Sequence, residues 1–133
     1  MINPLLYLDA YKTCHHKQYP KGITKVVSNI TARSSRIADV ESVVFFGLQA
    51  YIKEWLQGHW LNLFTDLGDD MISEYEEMVR TMLNDPTYSA DHIRELKKLG
   101  YMPLAIRALP EATLVPIRVP MLCIENTHPD FAW

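Results

Sequence analysis

Four consecutive residues near the N-terminus, Asp9-Ala10-Tyr11-Lys12, put a carboxylate, a phenol and an ammonium side by side, with Lys17 and Arg33 downstream. That grouping suits an anionic or ring-bearing ligand. The plainer reading is an N-cap aspartate followed by a partly buried tyrosine, and spacing alone does not separate the two. Cys14-His15-His16 invites a metal. Adjacent histidines on a helix, however, point about 100° apart, and no second pair at ligand spacing follows. The acids Asp66, Asp69, Asp70, Glu74, Glu76 and Glu77 lack the glycine and the ligand spacing of a calcium loop. They read as the solvated first turns of a helix. No glycine-rich phosphate loop, Ser/His/Asp order or zinc-protease motif is present. A metal site is therefore not expected in this chain.

Charge places any anionic ligand more firmly. The formal net charge is −3, which argues against a dedicated nucleic-acid binder. Residues 1–36 nevertheless carry six Lys and Arg against Asp9 alone, while residues 37–91 carry eleven acids against Lys53 and Arg80. An anion would dock near the basic first third, unless the two segments neutralise each other across the fold.

The elements that must position these residues follow from periodicity. Asp9 to Gln18 suits a short helix with Asp9 as N-cap, closed by the turn Tyr19-Pro20-Lys21-Gly22. Ile23 to Thr31 is rich in β-branched residues and reads as a strand. Val43 to Gln57 spaces Val44, Leu48, Tyr51, Ile52 and Trp55 as one helix face, stopping at Gly58. Asp70 to Asn84 repeats that pattern, and Ser89 starts a further helix through Leu99, with Gly100 beyond it. From Pro103 the texture alternates, giving β-type runs at Leu104–Leu109, Ala112–Arg118 and Met121–Glu125 split by prolines. The expected fold is α+β: a largely antiparallel sheet with helices inserted between the first strand and the C-terminal strands.

Length and composition agree. The 133 residues are 48% hydrophobic and 22% charged, which suits a single folded domain over 1–133 with a core of its own. The longest apolar runs fall far short of the ~20 residues that span a bilayer. The N-terminus has no basic segment ahead of an apolar stretch, so it does not read as a signal peptide. Two cysteines cannot build a disulfide framework, so a cytoplasmic, reduced protein is expected. The ending Asp130-Phe131-Ala132-Trp133 reads as a cut inside a longer protein.

An ordered set of short segments adds a resemblance. Asn3-Pro4-Leu5-Leu6, Asp9-Ala10-Tyr11-Lys12, His15 and Lys17-Gln18-Tyr19-Pro20 resemble the N-terminus of nicotinamide phosphoribosyltransferases, most closely the bacterial-type enzymes. In the same order come Ser28-Asn29 through Arg33, Phe46-Gly47-Leu48-Gln49 and Gly100-Tyr101-Met102-Pro103-Leu104. Leu109-Pro110-Glu111, Val115-Pro116 and Ile124-Glu125-Asn126-Thr127 complete it. Residues 58–90 match in pattern only. Ala112 departs from the glycine that commonly follows the Pro-Glu pair.

The resemblance implies an N-terminal α+β domain that packs beside an α/β barrel in a head-to-tail homodimer. It further implies synthesis of nicotinamide mononucleotide from nicotinamide and phosphoribosyl pyrophosphate, in NAD salvage. ATP and Mg²⁺ are implied for the full-length enzyme, and the histidine phosphorylated by ATP belongs to the barrel, so the chain alone is expected to be inactive. By the same resemblance Tyr11 stacks on the nicotinamide ring across the dimer, and Asp9 orders the site. Arg33 holds the phosphate or pyrophosphate end of the donor. Two other functions compete: a stand-alone binding or dimerisation module that regulates a full-length partner, and a small nucleic-acid binder, which the acidic middle disfavours. Neither nucleic acid nor a membrane is expected as a partner.

Overall fold

The computed structural model describes residues 2–133. The chain divides into two compact units: residues up to Tyr19 with Ala50–Met102, and Pro20–Gln49 with Pro103–Trp133. Each is described by itself.

The second unit is built on strands. β1 (Val27–Thr31), β2 (Ser42–Val44), β3 (Leu104–Ala108), β4 (Leu114–Pro116) and β5 (Pro120–Asn126) form two antiparallel sheets, one of order β1-β5-β3 and one of β2-β4. β5 lies at the centre, with Asn29 opposite Cys123 on one side and Ile106 opposite Ile124 on the other. Phe45, Val115 and Leu122 are buried together, with Leu48, Ile106, Met121 and Ile124 packed against them. Asn126, itself buried, fastens three segments. Its Oδ1 accepts the Val26 N–H at 2.8 Å, and its Nδ2 donates to the Thr24 and His128 carbonyls at 2.9 and 2.8 Å.

The α+β, antiparallel expectation holds, with one correction. Val43 to Phe46 is not the first turn of a helix. Val43 pairs with Val115, and Phe45 donates its N–H to Thr113 and accepts that of Ala112, both at 2.8 Å. Gly47 at φ +97° then turns the chain, and the helix starts only at α1 (Leu48–Tyr51). The helical spacing of Val44 with Leu48 is a coincidence that strand pairing overrides. The inserted helices lie between β1 and the C-terminal strands as expected, with β2 preceding them. The Glu111 carboxylate accepts the Gly47 N–H at 2.7 Å and the Gln49 N–H at 3.1 Å, a favourable charge at a helix start.

The first unit is helical. A π-helical stretch (Ile52–His59) and a 3₁₀ turn (Trp60–Phe64) lead to α2 (Gly68–Leu83) and α3 (Asp91–Leu99). Asn84 and Gly100 close these two helices in the left-handed conformation, as C-terminal caps require. The core comprises Leu5, Leu63, Ile72, Tyr75, Val79 and Tyr88, with further apolar residues of α2 and α3 around them. Asn3 pins the N-terminal turn Pro4–Tyr7 to α2, its Nδ2 donating to the Met71 carbonyl and to Glu74 Oε2, both at 2.9 Å.

Two turns of the second unit hold non-glycine residues at positive φ. In Pro110–Thr113, closed by Thr113 N–H to Pro110 O at 3.2 Å, Ala112 has φ +66°. In Pro116–Val119, closed at 3.1 Å, Arg118 has φ +71°. Each occupies the third turn position, where positive φ ordinarily selects glycine and a Cβ costs about 1–2 kcal/mol. Ala112→Gly is therefore expected to stabilise the chain by about 0.5–1 kcal/mol, the relieved strain less the added freedom of the unfolded chain. Gly68→Ala should do the reverse: a Cβ there would lie 2.0 Å from the Leu63 carbonyl oxygen, an overpacking of about 1–3 kcal/mol. Urea midpoints of the two variants check both signs, and a Gly68→Ala midpoint equal to the parent's would refute the clash.

Candidate functional site

The segment richest in chemistry forms a 3₁₀ helix, Ala10–Lys17, with Asp9 at its N-cap position. Asp9 makes no side-chain cap bond. Its carboxylate instead reaches Lys12 Nζ at 3.0 Å, and the bonds from Lys12 and then Tyr11, with the Lys12 charge, hold the Asp9 carboxyl below its usual range. Tyr11 is 64% exposed, so it is not a core tyrosine. Its ring lies 5.4 Å from that of His15, tilted by 52°, and Lys12 Nζ stands 5.7 Å from its centre. Carboxylate, phenol and ammonium are thus one cluster.

The opposite side of this helix is anchored. Thr13 is buried, its hydroxyl donating to the Ala10 carbonyl at 2.7 Å. Tyr88 bonds the Tyr75 hydroxyl at 3.1 Å and reaches the Thr13 carbonyl at 3.4 Å. Burial first, then Tyr75, pushes the Tyr88 hydroxyl far up, so it stays a protonated donor. His16 stacks on His92 of α3 with centroids 3.7 Å apart and planes within 12°. Lys17 Nζ lies 5.2 Å from the centre of the Tyr88 ring.

Behind Tyr88 sits a residue whose environment the sequence misreads. Glu76 is buried, not part of a solvated acidic face. It accepts the Ala90 N–H at 3.0 Å and Arg94 Nη1 at 2.5 Å, and it pairs with Arg80. Burial pushes its carboxyl up, but the Ala90 N–H and the two arginines outweigh that and hold it below the usual range. Arg80 Nε in turn donates to the Tyr88 carbonyl at 2.9 Å. The available signal was the i,i+4 pair Glu76 and Arg80.

Arg33 belongs to the other unit. It follows β1, where the ladder register shifts between Ile30 and Thr31, and its side chain is exposed. The neighbouring Ala32 carbonyl accepts the Arg118 N–H at 2.8 Å.

Residues 3–106 match the family model described as nicotinamide phosphoribosyltransferase, N-terminal domain. The chain belongs to this family. It is 41% identical over 138 aligned residues to the nicotinamide phosphoribosyltransferase of Acinetobacter baylyi, covering 99% of this chain and 27% of that protein. It is 28% identical to the nicotinamide phosphoribosyltransferase of Xanthomonas campestris pv. campestris, covering 98% of this chain and 26% of the relative. The chain thus spans about a quarter of the length of these curated relatives. Its fold is similar to part of the crystal structure of human nicotinic acid phosphoribosyltransferase, with a TM-score of 0.59 at 17% identity over 91% of this chain and 22% of that one.

Segments of the resemblance meet other parts of the chain within the second unit. Glu111 of Leu109-Pro110-Glu111 caps Phe46-Gly47-Leu48-Gln49, and Asn126 of Ile124-Glu125-Asn126-Thr127 fastens the entry to β1. Each pair is one hydrogen-bonded device split along the sequence.

The His16–His92 stack makes stability depend on pH. Burial first, then the charges of His16 and Lys17, brings His92 down to about 4 against an opposing pull from Asp91. Burial and then Lys17 also lower His16, against the Thr13 backbone bond. Between pH ~6.5, where a free histidine titrates, and about 4, the unfolded chain binds the His92 proton and the folded chain does not. Stability therefore falls as pH drops through that window, by at most about 1.4 kcal/mol per pH unit for one proton. Urea midpoints at pH 7 and pH 5, above most carboxylate titration, should fall less in His92→Gln than in the parent. Equal slopes would assign the loss to other groups.

Proposed function

We propose that this chain is the N-terminal domain of an enzyme that makes nicotinamide mononucleotide from nicotinamide and phosphoribosyl pyrophosphate, within NAD salvage. Family membership and the two curated relatives named for that activity support the reading. The observation that carries the site is the exposed ring of Tyr11 on a helix whose other side is packed. The rest of the enzyme, a barrel in a homodimer, supplies the histidine that ATP phosphorylates. We place the enzyme in the cytoplasm, in keeping with free Cys14 and Cys123. Among the described residues no helix is long and apolar enough to cross a membrane.

The chemistry accounts for the residue types. The nicotinamide ring nitrogen attacks the anomeric carbon of the donor as pyrophosphate leaves. A ring held between two aromatic faces, one of them Tyr11 acting across the dimer, is fixed on the line of attack. As the bond forms the ring becomes a pyridinium cation, which a tyrosine face attracts by roughly 0.5–2 kcal/mol. Tyr11 thus binds the transition state better than the ground state. Asp9 orders this arrangement through Lys12: paired at 3.0 Å, the ammonium is neutralised and does not oppose the developing pyridinium charge. Arg33 offers a bidentate fork to the phosphate or pyrophosphate end of the donor. Among the described residues no three His, Cys, Asp or Glu side chains converge on a metal site. We assign the Mg²⁺ implied for the full-length enzyme to residues outside this chain.

In the full-length enzyme Tyr11→Phe should keep most activity, because the π face survives. Tyr11→Ala should lose about 1–3 kcal/mol in kcat/KM, the scale of aromatic–base stacking. Because the ring is exposed, the melting temperature should barely move. Mixed dimers pairing a Tyr11→Ala subunit with one lacking the barrel histidine should regain activity. Mixed dimers that form without complementing would sink the cross-subunit role. Arg33→Ala should raise KM for phosphoribosyl pyrophosphate more than KM for nicotinamide; equal rises would make Arg33 a folding residue.

A further inference from the structure

A second arginine lies close to Arg33 along the backbone. The Arg118 N–H donates to the Ala32 carbonyl at 2.8 Å, so one hydrogen bond joins the backbones next to both arginines. Thr31 and Pro120 are partners at the same end of the ladder. Both side chains are exposed, and among the described residues neither forms an ion pair. Glu41, whose carbonyl accepts the Ile117 N–H at 2.8 Å, does not neutralise either one.

Arg118 also occupies a conformation that disfavours it. At φ +71° in the third position of its turn, a glycine would relieve the backbone and leave the turn bond intact. Ala112 shares this conformation with only a methyl group, whereas at Arg118 the strained position carries an exposed charged side chain. Two guanidiniums brought together from these adjacent backbones would repel each other when empty, and a multiply charged anion between them would reverse the sign of that interaction. Guanidinium forks match phosphate oxygens bidentately, so two of them fit a pyrophosphate better than a singly charged group.

We propose that Arg118 joins Arg33 in a paired cationic site for the phosphate-bearing end of the phosphoribosyl donor. This assignment rests on the donor role of Arg33 argued above. Arg118 lies beyond residues 3–106, the part that matches the family model.

The test uses the full-length enzyme with Arg118→Gly, Arg118→Lys and Arg33→Ala, measuring KM for each substrate and the melting temperature. Arg118→Gly should raise KM for phosphoribosyl pyrophosphate roughly tenfold or more, the scale of a lost charge-assisted hydrogen bond. KM for nicotinamide should stay within about twofold, and the melting temperature should rise as the strained turn relaxes. Arg118→Lys keeps the charge but not the fork, and should recover only part of the donor affinity without that thermal gain. A donor KM unmoved in Arg118→Gly but raised in Arg33→Ala would overturn the pair and leave the donor reading standing. Donor KM unmoved in both would overturn the pair and the donor reading together. A lower melting temperature with equal rises in both KM values would make Arg118 structural, and a shift confined to ATP would assign it another phosphate; either result overturns the proposal.

Discussion

A buried carboxylate has to be compensated, and the helical unit is arranged around that requirement at Glu76. An uncompensated charge there would carry a penalty of several kcal/mol. One backbone N–H and two arginines meet it. Each partner then acquires a fixed place. Ala90 is held at the start of α3, Arg94 ties α3 to α2, and Arg80 reaches the carbonyl of Tyr88. Tyr88 carries the constraint onward, because its hydroxyl lies between Tyr75 and the carbonyl of Thr13. The segment bearing Tyr11 is thus placed by a carboxylate more than sixty residues away in sequence.

The strand-built unit solves a comparable problem with a buried neutral amide and a half-buried carboxylate. Short strands joined by proline turns leave backbone donors unpaired at their ends, and buried unpaired donors are costly. Asn126 and Glu111 take up those donors where the chain enters β1 and where it leaves β2 for α1. Among the described residues no buried side-chain nitrogen or oxygen lacks a partner either. Pro110–Thr113 and Pro116–Val119 show what is tolerated in return, since both turns keep a side chain at positive φ.

Much of the fold was legible in the sequence wherever one periodicity dominated. Leu104–Ala108 and Pro120–Asn126 alternate between proline or glycine stops, and α2 ends at the asparagine its apolar spacing implied. Val43–Phe46 was not legible, because four β-prone residues happened to continue a helical spacing and only pairing with β4 decides them. Glu76 was hidden for a similar reason: an acid within an acidic run looks solvated until its distant partners are known. The candidate site was less legible from physics alone. Spacing offered Asp9 an N-cap role that its side chain does not play, and Tyr11 and Arg33 stood out only through the family resemblance. Arg118 carried no such signal, since its backbone conformation is a property of the folded turn.

In the role proposed for Tyr11, the 3₁₀ geometry of Ala10–Lys17 bears on how so short an element would present a ring to a ligand. With three residues per turn, positions i and i+3 eclipse each other, so Ala10, Thr13 and His16 form a stripe parallel to the axis. Thr13 is buried and His16 stacks on His92, so this stripe is the anchored one. Tyr11 falls on a neighbouring stripe with Cys14 and Lys17; Lys17 lies over the Tyr88 ring, while the Tyr11 ring stays exposed. The Asp9–Lys12 pair, three residues apart, restrains a cation that stands 5.7 Å from the centre of the Tyr11 ring.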